Sequence, residues 1–101
     1  MNTYIKLYDW TTKTGLDLKE RVIFSLIHQY SEGKNIGYWA GYKAMSDKVG
    51  IPKSKCKAIV QKLKDIGAVI ERRGQVEQIT RIILSSNPDF TVKFVSSRES
   101  A

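Results

Sequence analysis

The segment 51–67 constrains the fold of this chain more than any other part of its sequence. Its apolar residues recur three or four positions apart, which is the spacing of one face of an α-helix. These residues are Cys56, Ile59, Val60, Leu63 and Ile66. Pro52 suits a helix start, where N–H groups lack intrahelical partners, and Gly67 suits a helix end. The pattern predicts an amphipathic helix over about 52–66.

The other side of this helix is rich in basic residues. Residues 51–75 carry seven Lys and Arg against two Asp and Glu, so five of the chain's seven net positive charges lie there. A concentrated positive field attracts phosphate groups and speeds encounter with polyanions. The distribution of charge therefore favours a polyanionic partner.

Two further helices are predicted upstream. The first covers about 16–32, where Asp17 and Glu20 have the spacing of a capping box and the apolar residues follow a helical period. The second covers about 41–49 and ends at Gly50, a residue type common just after a helix.

Some single residues have a structural interpretation. Cys56 lies on the apolar face and is predicted to be a small core residue. Phe24 lies beside the stripe of the first helix, where it packs either on the N-terminal segment or on another subunit. His28 lies off that stripe and is predicted at the surface. Trp10 and the pair 38–39 are interpreted as packing residues.

The remaining segments alternate in the manner of β-strands. Residues 68–84 predict a β-hairpin whose turn lies near Arg73-Gly74. Residues 3–10 predict a strand or an extended arm, and residues 89–95 predict another strand. The tail 96–101 is expected to be disordered. The chain is thus expected to form one domain over 1–95.

This order of elements predicts an α+β fold, mainly α, of three helices and a small antiparallel hairpin. The run 45–71 resembles the winged helix-turn-helix DNA-binding domains of bacterial transcription regulators, beginning with an apolar, a small, two polar and an apolar residue before Gly50. Residues 16–50 resemble the corresponding part of phage and plasmid replication-initiation proteins. Two residues depart from the pattern: Ser46 replaces a common Ala, and Pro52 replaces a common Ser or Thr cap.

The resemblance, which covers roughly 16–84, implies binding of double-stranded DNA. The helix 52–66 would enter the major groove, where base edges differ, and the hairpin would act as the wing. The recognition-helix contacts implied are Lys53, Ser54, Lys55, Lys57, Gln61 and Lys62. The wing contacts implied are Arg72, Arg73 and Gln75.

Several alternatives stay open at this point. The protein acts either in transcription, where a homodimer on paired half-sites is usual, or in replication initiation, and either role would bring further protein partners. A winged helix can instead bind proteins without contacting DNA, through the face with Phe24 or the edge near 90–94. RNA binding is also compatible with the charge.

Catalysis and cofactors find little support. One cysteine and one histidine can build neither an internal disulfide nor a zinc site, and no Gly-rich phosphate loop or nucleophile elbow is present. We therefore expect no enzyme, no metal and no cofactor. The single thiol favours a reducing cytoplasm, and the lack of a long apolar run argues against a signal peptide or membrane span.

Overall fold

Three α-helices and a β-hairpin make up most of the described part of the protein. The computed structural model describes residues 7–31, 37–76 and 78–92. A 3-10 helix (Asp9–Thr14) comes first. The elements that follow are α1 (Leu18–Ser31), α2 (Tyr42–Val49), α3 (Lys53–Asp65), β1 (Val69–Val76) and β2 (Ile79–Ser86). The predicted α+β, mainly helical class is confirmed.

α1 begins with the predicted capping box. The Glu20 backbone N–H donates to Asp17 Oδ1 at 2.9 Å, and the Asp17 N–H donates to Glu20 Oε1 at 3.0 Å. Two backbone donors that lack partners within the helix are satisfied in this way. The capping box fixes where α1 starts, and α1 then buries the side chains from Ile23 to Ile27.

A tight turn sets α3 against α2. Gly50 ends α2 in the left-handed region at φ 70°, and Ser46 Oγ donates to the carbonyl of Ile51 at 2.7 Å. Pro52 is the N-cap of α3, one residue before the helix proper, and its ring provides no side-chain cap. The hydroxyl of Ser46 therefore holds the turn that precedes α3.

The core lies between the three helices and the root of the hairpin. Its fully buried members include Ile27, Met45, Cys56, Val60 and Leu63. All five lie on the apolar faces predicted for the three helices, and each helix is amphipathic because only one side of it meets this core.

Aromatic packing under the N-terminal segment corrects one prediction. Trp10 lies edge-to-face against Phe24, with ring centroids 5.7 Å apart, so Phe24 packs on the N-terminal segment as predicted. His28 is partly buried, not at the surface. Its Nδ1 lies 2.9 Å from Ser86 Oγ, and its ring centroid lies 4.8 Å from that of Tyr8. The prediction failed because the 3-10 segment covers a side of α1 that its own periodicity leaves polar.

The predicted position of the hairpin turn is wrong. The strands pair in register from Val69↔Ser86 to Val76↔Ile79, so the ladder continues past Arg73 and Gly74 and the connection between the strands comes after Val76. Gly74 pairs with Arg81 in the middle of the ladder. A Cβ at Gly74 would overlap Cδ1 of Ile83, so the glycine serves cross-strand packing and not the turn.

An isolated β-bridge at Tyr38 lies on the other edge of β2. Tyr38 and Leu84 exchange two backbone N–H···O bonds of 2.8 Å as an antiparallel bridge. The Tyr38 side chain is buried and its hydroxyl donates to the Gly41 carbonyl at 3.1 Å. Burial raises the pKa of Tyr38 to about 12, so the phenol stays a donor at any physiological pH. The bridge thereby fixes the hairpin next to the start of α2.

Two predicted strands are also corrected. Residues 9–14 form the 3-10 helix, while the rest of the predicted strand before Leu7 lies outside the described residues. Residues 88–92 form a helical turn, in which the Thr91 N–H donates to the Asn87 carbonyl at 3.0 Å. Local capping by Asn87, whose Oδ1 accepts from the Asp89 N–H at 3.0 Å, outweighs the alternating pattern. Residues 93–95 and the predicted disordered tail lie outside the described residues.

The burial of Cys56 leads to a prediction about its reactivity. The thiol is fully buried, donates weakly to the Ile51 carbonyl at 3.4 Å, and has its pKa raised by burial. At neutral pH a thiol reagent should label native protein at least about 100-fold more slowly than denatured protein, because labelling needs both opening and thiolate formation. Rates measured by absorbance over a denaturant series would test this. Equal rates would mean that the α2–α3 core is open.

Candidate nucleic-acid interface

α3 separates an apolar side from a polar side. Cys56, Ile59, Val60 and Leu63 are buried, whereas Ile66, the fifth residue of the predicted stripe, is exposed because it lies beyond the end of the helix. The six residues implied as contacts on this helix are all exposed. They are Lys53, Ser54, Lys55, Lys57, Gln61 and Lys62. The helix therefore presents a continuous polar surface on the side opposite the core.

Ion pairs divide the lysines of α3 into two groups. Lys62 Nζ lies 2.9 Å from Glu20 Oε2 of α1, and Lys64 Nζ lies 2.6 Å from Glu71 Oε1 of β1. The hydrogen bond with Glu71 raises the pKa of Lys64. These two lysines hold α3 to its neighbours, and Lys62 is therefore a weaker candidate contact than its exposure implies.

The other three lysines border the polar side of α3, and together we term them the α3 cationic face. Lys53 and Lys57 lie one turn apart along one border, and Lys55 lies on the opposite border. In the ranges that the structure describes, none of them is ion-paired with a carboxylate. The first turn of α3 also has no acidic residue. Lysines in the first turn lie near the positive end of the helix dipole, and the repulsion between the two is unfavourable. A bound anion would offset this repulsion.

Lys57 connects this face to the rest of the surface. Its Nζ lies 5.8 Å from the ring centroid of Tyr42, the first residue of α2. Such a cation–π contact holds the ammonium group without neutralising it. Gln61, one turn further along α3, donates from Nε2 to Asp65 Oδ1 at 2.9 Å, which orients its amide.

The three implied wing residues do not lie at the tip of the hairpin as predicted. Arg72 and Arg73 lie in the middle of β1, opposite Ile83 and Ile82 respectively, and only Gln75 approaches the turn. Because successive residues of a strand point to opposite faces, the two arginines lie on different faces of the sheet. Arg73 shares a face with Gln75, and Arg72 does not.

Arg73 lies beside a groove that sequence reasoning missed. The hairpin groove, as we term it, is lined by Tyr38, Trp39, Gly41, Tyr42, Arg73, Thr80, Ile82 and Leu84. Trp39 and Ile82 are 41% and 42% exposed, whereas Tyr38 is buried. Tyr38 thus packs as predicted, whereas Trp39 is only partly buried. Successive residues of an extended segment point to opposite sides, and this alternation is the sequence signal that distinguishes buried Tyr38 from exposed Trp39.

Comparison of the chain with protein-family models, with curated proteins and with solved structures finds no match. Within the described ranges, no three His, Cys, Asp or Glu side chains are grouped to hold a metal ion, and no helix has the length and apolarity needed to cross a membrane. The functional assignment therefore rests on the surface of α3 and the hairpin.

Proposed function

We propose that this protein binds double-stranded DNA, with α3 in the major groove. The observation that carries the proposal is the α3 cationic face, three exposed lysines with no ion pair among the described residues, which flank the polar side of the helix on both borders. Lysines in this arrangement can neutralise phosphates on either side of a groove, and release of counterions then supplies affinity.

The order of elements supports a winged helix-turn-helix as the architecture. α1, the Tyr38 bridge, α2, α3 and the β1–β2 hairpin follow one another, and β2 lies between β1 and the bridge. In such a domain α2 props α3 at an angle to the groove and the hairpin lies beside it. The setting is either transcription regulation or replication initiation, and both require the same contact to duplex DNA.

Different side chains of α3 have different proposed tasks. The lysines contact phosphates, which positions the helix but conveys no sequence information. Ser54 and Gln61 have hydrogen-bonding groups that suit base edges. The Gln61 Nε2 group donates to Asp65, and this hydrogen bond orients the amide. Specificity is therefore expected to depend on Gln61 more than on Lys55.

The alternative of a protein-interaction module finds less support. The apolar face that it would use includes Phe24, whose side chain is fully buried against Trp10 and Phe90. A buried ring cannot contact a partner without rearrangement of the core. The exposed surface of α3 is polar and basic, which suits a polyanion.

Selection from a random duplex library at two salt concentrations tests the proposal. The full chain is incubated with the library, and retained DNA is sequenced. We expect one motif to be enriched and the affinity to fall steeply as salt rises. Absence of binding even at low salt would contradict the proposal. Symmetry of an enriched motif would indicate a dimer.

The two neighbouring arginines provide a matched test of the orientation of the hairpin. Arg73→Ala should weaken duplex binding by roughly fivefold and lower the salt slope by about one, because Arg73 lies on the face that adjoins Tyr42 and Lys57. Arg72→Ala removes the same charge from the opposite face and should change affinity less than twofold. Fluorescence anisotropy with labelled duplex would measure both. Equal losses would place the DNA elsewhere on the hairpin.

A further inference from the structure

The hairpin groove has the size and lining of a small binding site. Its volume of about 330 Å³ is near the lower end of the range for ligand pockets, roughly 300–1,000 Å³. Trp39 and Ile82 are partly exposed and provide apolar surface, one of them as an indole ring, and Arg73 provides a cation. The groove thus suits a ligand that is planar and apolar at one end and anionic at the other.

The charge around the groove favours an anion. None of its lining residues is acidic. The nearest described carboxylate on the same strand face is that of Glu71, two residues before Arg73, and it is paired with Lys64 at 2.6 Å. Lys57, over the ring of Tyr42, adds a second cation at the rim next to α3.

We propose that the hairpin groove binds one unpaired nucleotide of DNA whose double-stranded part lies on α3. The base stacks on Trp39 and its phosphate pairs with Arg73. This inference rests on the proposed function and specifies its substrate as duplex DNA that carries an unpaired nucleotide, such as a bulge, a nick with a flap, or the edge of a melted region.

The requirement for an unpaired base follows from stacking. In a duplex both faces of each base are covered by its neighbours, so an aromatic side chain can reach a base face only where the base has left the stack. Stacking of this kind accepts any base, since every base has a π face. Tyr42 lines the groove and also contacts Lys57, so a single DNA strand can pass from the α3 cationic face into the groove.

The test compares two duplexes that differ by one nucleotide. One is fully paired, and the other carries a single-nucleotide bulge near the proposed major-groove contact. Wild-type protein should bind the bulged duplex at least about fivefold more tightly. Trp39→Ala should abolish this preference while leaving affinity for the paired duplex within about twofold, and Trp39→Phe should retain most of it.

Controls separate a specific effect from loss of folding. Ile70→Ala removes an equally exposed apolar side chain from the other face of β1 and should retain the preference. Far-UV circular dichroism and thermal unfolding check each variant. Trp10 is buried and Trp39 is exposed, so acrylamide quenching in Trp10→Phe protein reports whether DNA shields Trp39.

The outcomes distinguish this inference from the proposed function. Equal affinity of wild-type protein for both duplexes, or an equal loss on both in Trp39→Ala, overturns the groove assignment and leaves duplex binding in place. Binding to neither duplex overturns both. If the paired duplex is not bound but the bulged duplex is, and it shields Trp39 from acrylamide, the groove binds the unpaired nucleotide while the proposed contact to paired DNA is wrong.

Discussion

Replacement of Lys55 and Lys57 by alanine is expected to lower affinity for duplex DNA roughly 10- to 100-fold at moderate salt. Each lysine should account for about one unit of the slope of log affinity against log salt, so the slope should fall by about two. Both side chains are exposed and neither is ion-paired with a described carboxylate, so their removal should leave stability nearly unchanged. Anisotropy titrations at four or more salt concentrations would measure both quantities.

A charge-matched variant provides the control. Lys13→Ala with Lys19→Ala removes the same net charge from exposed positions on the 3-10 helix and α1. It should lower affinity only through the long-range field, by less than about threefold. If both double variants lose affinity equally, DNA is attracted by net charge alone and the α3 cationic face is not the contact surface.

Gly37→Ala is expected to lower the free energy of unfolding by about 3 kcal/mol or more. Gly37 has φ 138°, which L-residues rarely adopt, and a Cβ there would lie 2.6 Å from the Leu84 carbonyl oxygen and 2.9 Å from Cγ2 of Ile83. The residue enters the bridge at Tyr38, so the substitution would push the chain away from β2. For a domain of this size the melting temperature should fall by at least about 12 °C.

Gly74→Ala is the matched comparison. Its new Cβ would meet only the end of the Ile83 side chain, which can change rotamer, and its φ lies outside the left-handed region. We expect a loss of about 1 kcal/mol. Calorimetry or chemical denaturation of both variants would test the difference. A Gly37→Ala protein as stable as wild type would contradict the bridge between Tyr38 and β2.

Sequence periodicity predicted α3 well because that helix has one buried side and strong boundary signals. The stripe containing Cys56, Val60 and Leu63 faces the core, and the helix spans Lys53–Asp65 against a predicted 52–66. The capping box at Asp17 likewise depends only on neighbouring residues. Both features depend on local chemistry and could be predicted from the sequence, although the helical turn capped by Asn87, which is also local, was not.

Features fixed by contacts distant in the sequence could not be predicted in this way. The sequence predicts Gly74 as a turn residue because glycine is common in turns, yet it lies within the ladder and leaves room for the end of the Ile83 side chain. The position of the arginines relative to α3 followed from that error. Likewise, His28 was assigned to the surface because its contacts with Tyr8 and Ser86 join segments that periodicity treats separately.

The sequence predicts which residues of the candidate site are exposed, but not which residues they contact. Exposure of Lys57 and Gln61 follows from the helical period. The pairing of Lys62 with Glu20, 42 positions away, depends on how α1 and α3 pack. The groove between the hairpin and the start of α2 likewise depends on how these elements pack, and no local sequence pattern indicates it.

The two ion pairs on the C-terminal half of α3 also bear on the thermodynamics of binding. One ties the helix to α1 and the other to β1. Each is partly exposed and contributes little to stability by itself, but together they restrict the helix from two directions. If α3 binds DNA as proposed, a helix held in this way should dock as a rigid body, with little ordering entropy to lose. Its heat-capacity change on binding should then match the apolar area removed from water, with no additional contribution from coupled folding. If a close fit requires bending, the DNA would bend and α3 would not. The local stiffness of the DNA would then contribute to the choice of site.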